Sequence, residues 1–219
     1  MTATIEGWGL MRADALLTDR GVWTADVEPT DDAEIVVGQR VTLVIGDLSL
    51  SGTAITGAMG VANSSFLVVG GAGGWRKTVG RRFYYDAAGV RLVDVIRDLA
   101  TETGENVALD ASLTSKVLGE AWTRPEGTGA DALASLGVPW RVLASGSTAV
   151  GPLATVASGG LVSLRRYMAG IGRAIVDLPD EELSTVLPGY EVDFGELSMV
   201  VRATRILVLR GSVWAELDR

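Results

Sequence analysis

From Val68 to Asn106 the chain reads VVGGAGGWRKTVGRRFYYDAAGVRLVDVIRDLATETGEN. An apolar strand ends in a glycine cluster. A basic tryptophan turn follows, then a short aromatic strand and an amphipathic helix. Leu92, Val95, Ile96, Leu99 and Ala100 recur at helical spacing and form one apolar face. Arg91, Asp94, Arg97, Asp98 and Glu102 lie off that face, with Asp94 and Arg97 spaced to pair across one turn. Gly104 stands where a left-handed residue ends a helix. Asp86-Ala-Ala-Gly89 reads as the turn that leaves a strand over Arg82 to Tyr85. The unit is strand, turn, helix.

The glycine cluster invites a nucleotide reading that its residues do not support. Gly71 to Thr78 nearly fits G-x-x-x-x-G-K-[ST], but Arg76 occupies the second glycine position, where a side chain obstructs close approach to phosphates. Val79-Gly80-Arg81-Arg82-Phe83-Tyr84-Tyr85 then supplies strand formers where the motif requires a helix. The G-x-G-x-x-G pattern fails at the same arginine. Gly70 to Gly74 therefore reads as a loop between strands or domains.

A chain of 219 residues is long enough for one to three domains with cores that need no covalent staples. It contains no cysteine and no histidine, which excludes disulfides, thiolate zinc sites, cysteine nucleophiles, serine–histidine triads and histidine-ligated metals together. The net charge of −8 argues against a general nucleic-acid binder. Of the 19 basic residues only Lys77 and Lys116 are lysines. Hydrophobic residues make up 47%, yet no run approaches the roughly 20 apolar residues of a membrane helix, and the first residues lack the pattern of a signal peptide. That apolar content is expected in a β-rich core and in subunit contacts.

Residues 1–80 read as a first small β-barrel domain. Val22 to Val27 alternate with the period of a half-buried strand, and Val41 to Ile45 and Leu48 to Ile55 flank a hairpin turn at Gly46-Asp47. Residues 81–150 read as an α/β module with two helices. The second runs from about Gly129 to Leu136, with Thr128 and Asp131 as a capping box and Gly137 as its stop. Residues 151–219 return to β as a second barrel, its strongest strands being Leu161 to Arg165, Arg173 to Asp177, Met199 to Leu209 and Ser212 to Leu217. Gly151-Pro152 and Ser158-Gly159-Gly160 mark the seam, and Leu187-Pro188-Gly189 a turn. The fold class is α+β, mostly β, with two small tube-like barrels flanking the α/β module.

Of the six tryptophans, Trp75 stands apart, because it lies in a glycine-rich loop beside cations. An aromatic anchor among basic residues has the composition of an interface, so Trp75, Arg76, Lys77, Arg81 and Arg82 are the candidate interface residues. Asp26 to Glu34 holds five acids against four basic residues in Arg76 to Arg82. Such opposed patches read as complementary surfaces that set the register of an assembly. Asp180-Glu181-Glu182, Glu102 with Glu105, and Asp193 with Glu196 lack a second ligand set or oxyanion partner, so no catalytic, cofactor-binding or metal-ligating residue is assigned.

The ordered series GAGGW, then RKTVGRRFYYDAAGVRLVDVIRDLATETGE, resembles the tail baseplate hub proteins of tailed bacteriophages. The likeness extends to Gly21-Val-Trp-Thr-Ala-Asp26, Gly38-Gln39 and Ile45 to Thr53, and to Trp122, Gly129 to Trp140 and Leu187-Pro-Gly189. It implies a homotrimeric ring with two tube-like barrels per subunit, adapting a sixfold tail tube to a threefold spike. The partners it implies are the tail tube, spike and tape measure proteins, in a virion at the tail tip or baseplate, with no cofactor and no membrane anchor. DNA would pass the lumen without specific binding, which the net acidity suits. The chain ends at Arg219, short of many members, so a spike-binding or peripheral module is expected to be absent or to come from another chain. Two other readings are a distal tail or tube-terminating protein, and a tail-borne carbohydrate-binding or cell-wall-degrading domain.

Overall fold

The computed structural model describes residues 3–30, 33–59, 64–160, 162–195, 197–210 and 212–219. Alternation builds the first unit. Six strands, β1 (Ala3–Ile5), β2 (Trp8–Thr18), β3 (Thr24–Pro29), β4 (Arg40–Ile45), β5 (Leu48–Met59) and β6 (Ser64–Gly70), pair in the order β1-β4-β5-β6-β3-β2. β2 then pairs back to β1, which closes a barrel. Ala13, Ala15 and Leu17, Ala25 and Val27, and Val41, Leu43 and Ile45 point inward at every second position and are buried. The expected hairpin at Gly46-Asp47 is present, with Ile45 facing Leu48 and Gly46 at φ 58°.

The middle of the chain holds β7 (Thr78–Val79), β8 (Arg82–Tyr85), α1 (Leu92–Thr103), β9 (Val107–Leu109), β10 (Ala121–Arg124), β11 (Gly127–Thr128), α2 (Gly129–Ala134), β12 (Trp140–Val142) and β13 (Thr148–Val150). α1 stops at Gly104, whose φ of 78° lets its N–H reach the Ala100 carbonyl. α2 starts on the Thr128–Asp131 capping box. It covers 129–134, two residues shorter than its pattern suggests. β12 and β13 form a hairpin, and β9 joins β13 in parallel. Val90, Leu92, Val95, Ile96, Leu99 and Leu133 merge with the barrel residues into one continuous core.

The remaining strands are β14 (Val156–Ala157), β15 (Ser163–Met168), β16 (Arg173–Asp177), β17 (Tyr190–Asp193), β18 (Ser198–Val200), β19 (Ala203–Leu209) and β20 (Ser212–Asp218). They make the second tube-like unit from two sheets, β19-β20-β16-β15 and β14-β17-β18. Ala174, Val176, Val186, Val192, Met199, Val201, Ala215 and Leu217 fill a core of their own. The stretch 199–209, expected as one strand, is divided: β18 ends at Val200 in the small sheet, and β19 begins at Ala203 in the large one. Of the strand expected over Leu161 to Arg165, Leu161 lies outside the described residues, and β15 begins at Ser163.

The two units are joined by main chain. β19 lies antiparallel on β2 over seven residue pairs, from Ala203 opposite Thr18 to Leu209 opposite Arg12. A ten-stranded sheet thus runs without interruption from the first barrel into the second unit. An ion pair crosses this seam between β19 and β2. Arg205 donates from Nε and Nη2 to the two oxygens of Asp14, at 2.8 and 2.6 Å. Within the second unit, Arg173 of β16 pairs with both Asp218 and Glu216 of β20, at 2.6 and 3.3 Å. No helix among the described residues is long and apolar enough to cross a membrane.

Candidate functional site

The glycine cluster earns its composition at two positions. Gly73 takes φ 75°, a left-handed conformation that starts a 3₁₀ turn over Gly74–Arg76. A Cβ on Gly74 would sit inside the contact distance of the Thr103 carbonyl oxygen. The resulting turn aims three backbone N–H groups at one point. Ala72 donates to Glu105 Oε2 at 2.9 Å, and Gly74 and Trp75 donate to Oε1 at 2.6 and 3.3 Å. Converging amides of this kind make an anion cradle. Here the chain's own buried glutamate fills it, a second reason beyond Arg76 that no phosphate loop exists.

Trp75 is corrected from an outward anchor to an internal one. It is 1% exposed, its indole N–H donates to Thr148 Oγ1 at 2.8 Å, and its ring centroid lies 5.6 Å from that of Trp140. The cradle pulls the loop onto the end of α1, and the side chain is carried inward against β12 and β13. The four cations stay at the surface but differ in engagement. Lys77 Nζ donates to the Thr103 carbonyl at 2.9 Å. Arg82 pairs with Asp98 at 2.7 Å, and its guanidinium carbon lies 5.3 Å from the centroid of the Tyr84 ring. Arg76 and Arg81 are exposed, and neither has a side-chain partner among the described residues.

β8 and β10 form a two-stranded ribbon whose two faces differ. On the inner face Tyr84 packs beside Trp122, with centroids 5.9 Å apart, and donates its hydroxyl to Asp98 at 2.6 Å. Arg124, with its side chain 2% exposed, reaches Glu102 at 2.7 Å and donates to the Gly80 carbonyl. Phe83 and Tyr85 alternate onto the outer face and are 65% and 67% exposed. Sequence periodicity marks this strand but not which face is covered, because the covering residues come from α1. A second exposed apolar site lies between β3 and β4. Ala33 and Ile35 are buried while Val36 and Val37 are 67% and 56% exposed beside exposed Glu34.

Among the described residues no group of three or more histidine, cysteine, aspartate or glutamate side chains is placed to hold a metal. The Asp180-Glu181-Glu182 segment forms a 3₁₀ turn over Asp180–Val186. That turn is tethered to the first barrel, since Ser184 donates to the Asp47 carboxylate. Its role is attachment.

No protein-family model matches the chain, and no curated protein matches its sequence. Solved structures do match it along its whole length. A tail protein from Neisseria meningitidis MC58 superposes with a TM-score of 0.66 at 14% identity, over 99% of this chain and 95% of that one. The fold is that of phage tail proteins. A 43 kDa tail protein of prophage MuSo2 from Shewanella oneidensis gives 0.64 at 11% identity, over 99% and 96% of the two chains. An E. coli component of the type VI secretion system, described as similar to the T4 tail proteins gp27 and gp5, gives 0.65 at 11% identity. That match covers 99% of this chain and 76% of the E. coli one. At these identities the likeness is one of fold, carried by the arrangement of the two β units about the α/β module.

Proposed function

We propose that this chain is a structural component of a phage or phage-like tail, and within it the baseplate hub. Three copies would form a ring. Each would contribute two tube-like units, so that one side offers six similar units to a tail tube and the other keeps threefold symmetry for a spike. The ring would stand at the tail tip of the virion, and its lumen would pass the tape measure protein and DNA.

One observation supports this reading above the rest. β2 and β19 splice the two β units into a single sheet, so a subunit presents them side by side in a fixed relation. A pair of units held only by a flexible linker could not keep the spacing a ring requires. The match over 99% of the chain to tail proteins of similar fold supports the tail setting.

The test is native mass by light scattering coupled to size exclusion, followed by microscopy of the main species. A mass three times 22.9 kDa with a pseudo-sixfold face is the expected result. A stable hexamer would instead identify a tube-like or distal tail protein. A chain that stays monomeric both alone and mixed with tail tube and spike proteins would overturn the hub.

A further inference from the structure

We infer that the outer face of the β8–β10 ribbon, with Arg81, Phe83 and Tyr85, packs on the Glu34–Val37 loop of a second copy of this chain. The inference rests on the ring proposed above and names the surfaces that close it.

Exposure is the first observation. Six large hydrophobic residues among those described are more than half exposed, and four of them are Phe83, Tyr85, Val36 and Val37. Two aromatic rings side by side on one face of a ribbon, and two adjacent valines on a loop, leave apolar area in water that association would cover. Both surfaces are held in shape before any partner arrives. The ribbon is fixed from behind by Tyr84, Trp122 and Arg124. The loop is pinned by buried Ala33 and Ile35, by Gln39 accepting the Val36 N–H at 3.0 Å, and by Gly38 donating to the Ala54 carbonyl at 2.7 Å. Preorganised surfaces lose little entropy on binding.

Charge then selects the partner. The aromatic face adjoins Arg81, an exposed cation without an ion pair among the described residues, and the aliphatic loop carries Glu34, an exposed anion likewise without one among them. Of the other basic residues of the segment, Arg82 is engaged by Asp98 and Lys77 by Thr103, while Arg76 stays exposed but precedes the ribbon, in the 3₁₀ turn over Gly74–Arg76. Each surface therefore joins apolar area to an unpaired charge of the sign that the other lacks. Both are exposed in the folded chain, so they do not meet within it. Two unlike surfaces meeting between copies make a heterologous contact, which closes into a ring when the rotation allows.

The native absence of cysteine gives a clean assay. Arg81→Cys copies mixed with Val37→Cys copies, treated with a short bismaleimide, should give cross-linked dimers that neither variant gives alone. The double variant should give a ladder ending at the trimer. Arg81→Glu and Glu34→Arg should each weaken self-association about tenfold, and combining them should restore it. Unchanged thermal melts would show that the fold is intact in each variant. A native trimer without cross-links, indifferent to both charge reversals, would overturn this surface and leave the ring standing. Cross-links with charge rescue in a dimer or an open chain would keep the surface and overturn the ring. A monomer without cross-links would overturn both.

Discussion

Glu105 accepts the backbone N–H of Gly74 at 2.6 Å across 31 residues of chain. It holds two further amides of the same loop, so one side chain sets the path by which the chain leaves the first barrel. Glu105→Ala leaves three N–H groups to find other partners in a largely buried site. The expected loss is about 2–4 kcal/mol, read as a lower urea midpoint. Glu105→Gln keeps one acceptor oxygen and should lose clearly less; equal losses would show that the carboxylate does not organise the loop.

Gly74 and Gly80 lie six positions apart and should respond in opposite ways. A Cβ on Gly74 collides with the Thr103 carbonyl, whereas one on Gly80 meets nothing within 4 Å. Gly74→Ala should destabilise by about 1–3 kcal/mol and red-shift tryptophan emission, because Trp75 is displaced from its burial. Gly80→Ala should stay within about 0.5 kcal/mol of the parent. Similar melts for the two variants would contradict the packing described at α1.

Burial, and then the hydrogen bond to Asp98, push the Tyr84 hydroxyl up to about 12. A pKa raised in the folded state contributes stability that is whole below the unfolded value, about 10, and is lost as pH rises through about 12. Tyr84→Phe should therefore be less stable near neutrality by about 1 kcal/mol. The gap to the parent should shrink between pH 10 and 12, measured by urea unfolding at stepped pH. Parallel curves across that window would refute the assignment.

The Arg205 guanidinium, by its hydrogen bonds and its charge, holds the Asp14 carboxyl below its ordinary value of 3.8. The sign is that of a depressed acid: its stabilisation is present above that ordinary value and fades as pH falls through the lowered one. The Arg205 side chain is 45% exposed and that of Asp14 15%, so solvent screens the pair in part and Asp14→Asn should cost about 1 kcal/mol in dilute buffer. The difference should diminish in molar salt and in acid. A difference that survives both would mean that the seam depends on packing at Asp14 rather than on charge.

Local devices were legible in the sequence. The Gly104 stop, the Thr128–Asp131 box and the Gly46-Asp47 hairpin each depend on residues within a few positions of one another, and all three stand where the pattern puts them. What was not legible depends on distant partners. Trp75 reads as an exposed loop residue because its neighbours are glycine and arginine; what buries it, Trp140 and Thr148, arrives 65 and 73 residues later. The pairing of Asp14 with Arg205 spans 191 residues and leaves no local trace. The same holds for the break in the stretch 199–209. Only the geometry of two sheets sharing one chain decides that β18 ends before β19 begins.

The seam between β2 and β19 also carries a consequence for biosynthesis. Among the described residues, only Gly9 and Trp8 of β2 meet β1 to close the first barrel; along Arg12 to Thr18 the same edge waits for residues 203–209. A ribosome delivers those residues long after the six strands of the first barrel. Until they emerge, the nascent chain displays a long strand with unpaired amides and carbonyls, a template for the wrong neighbour. Completion of this edge is thus timed by the arrival of β19, and slow docking of that strand is the step at which crowded synthesis would produce tangled rather than native chains.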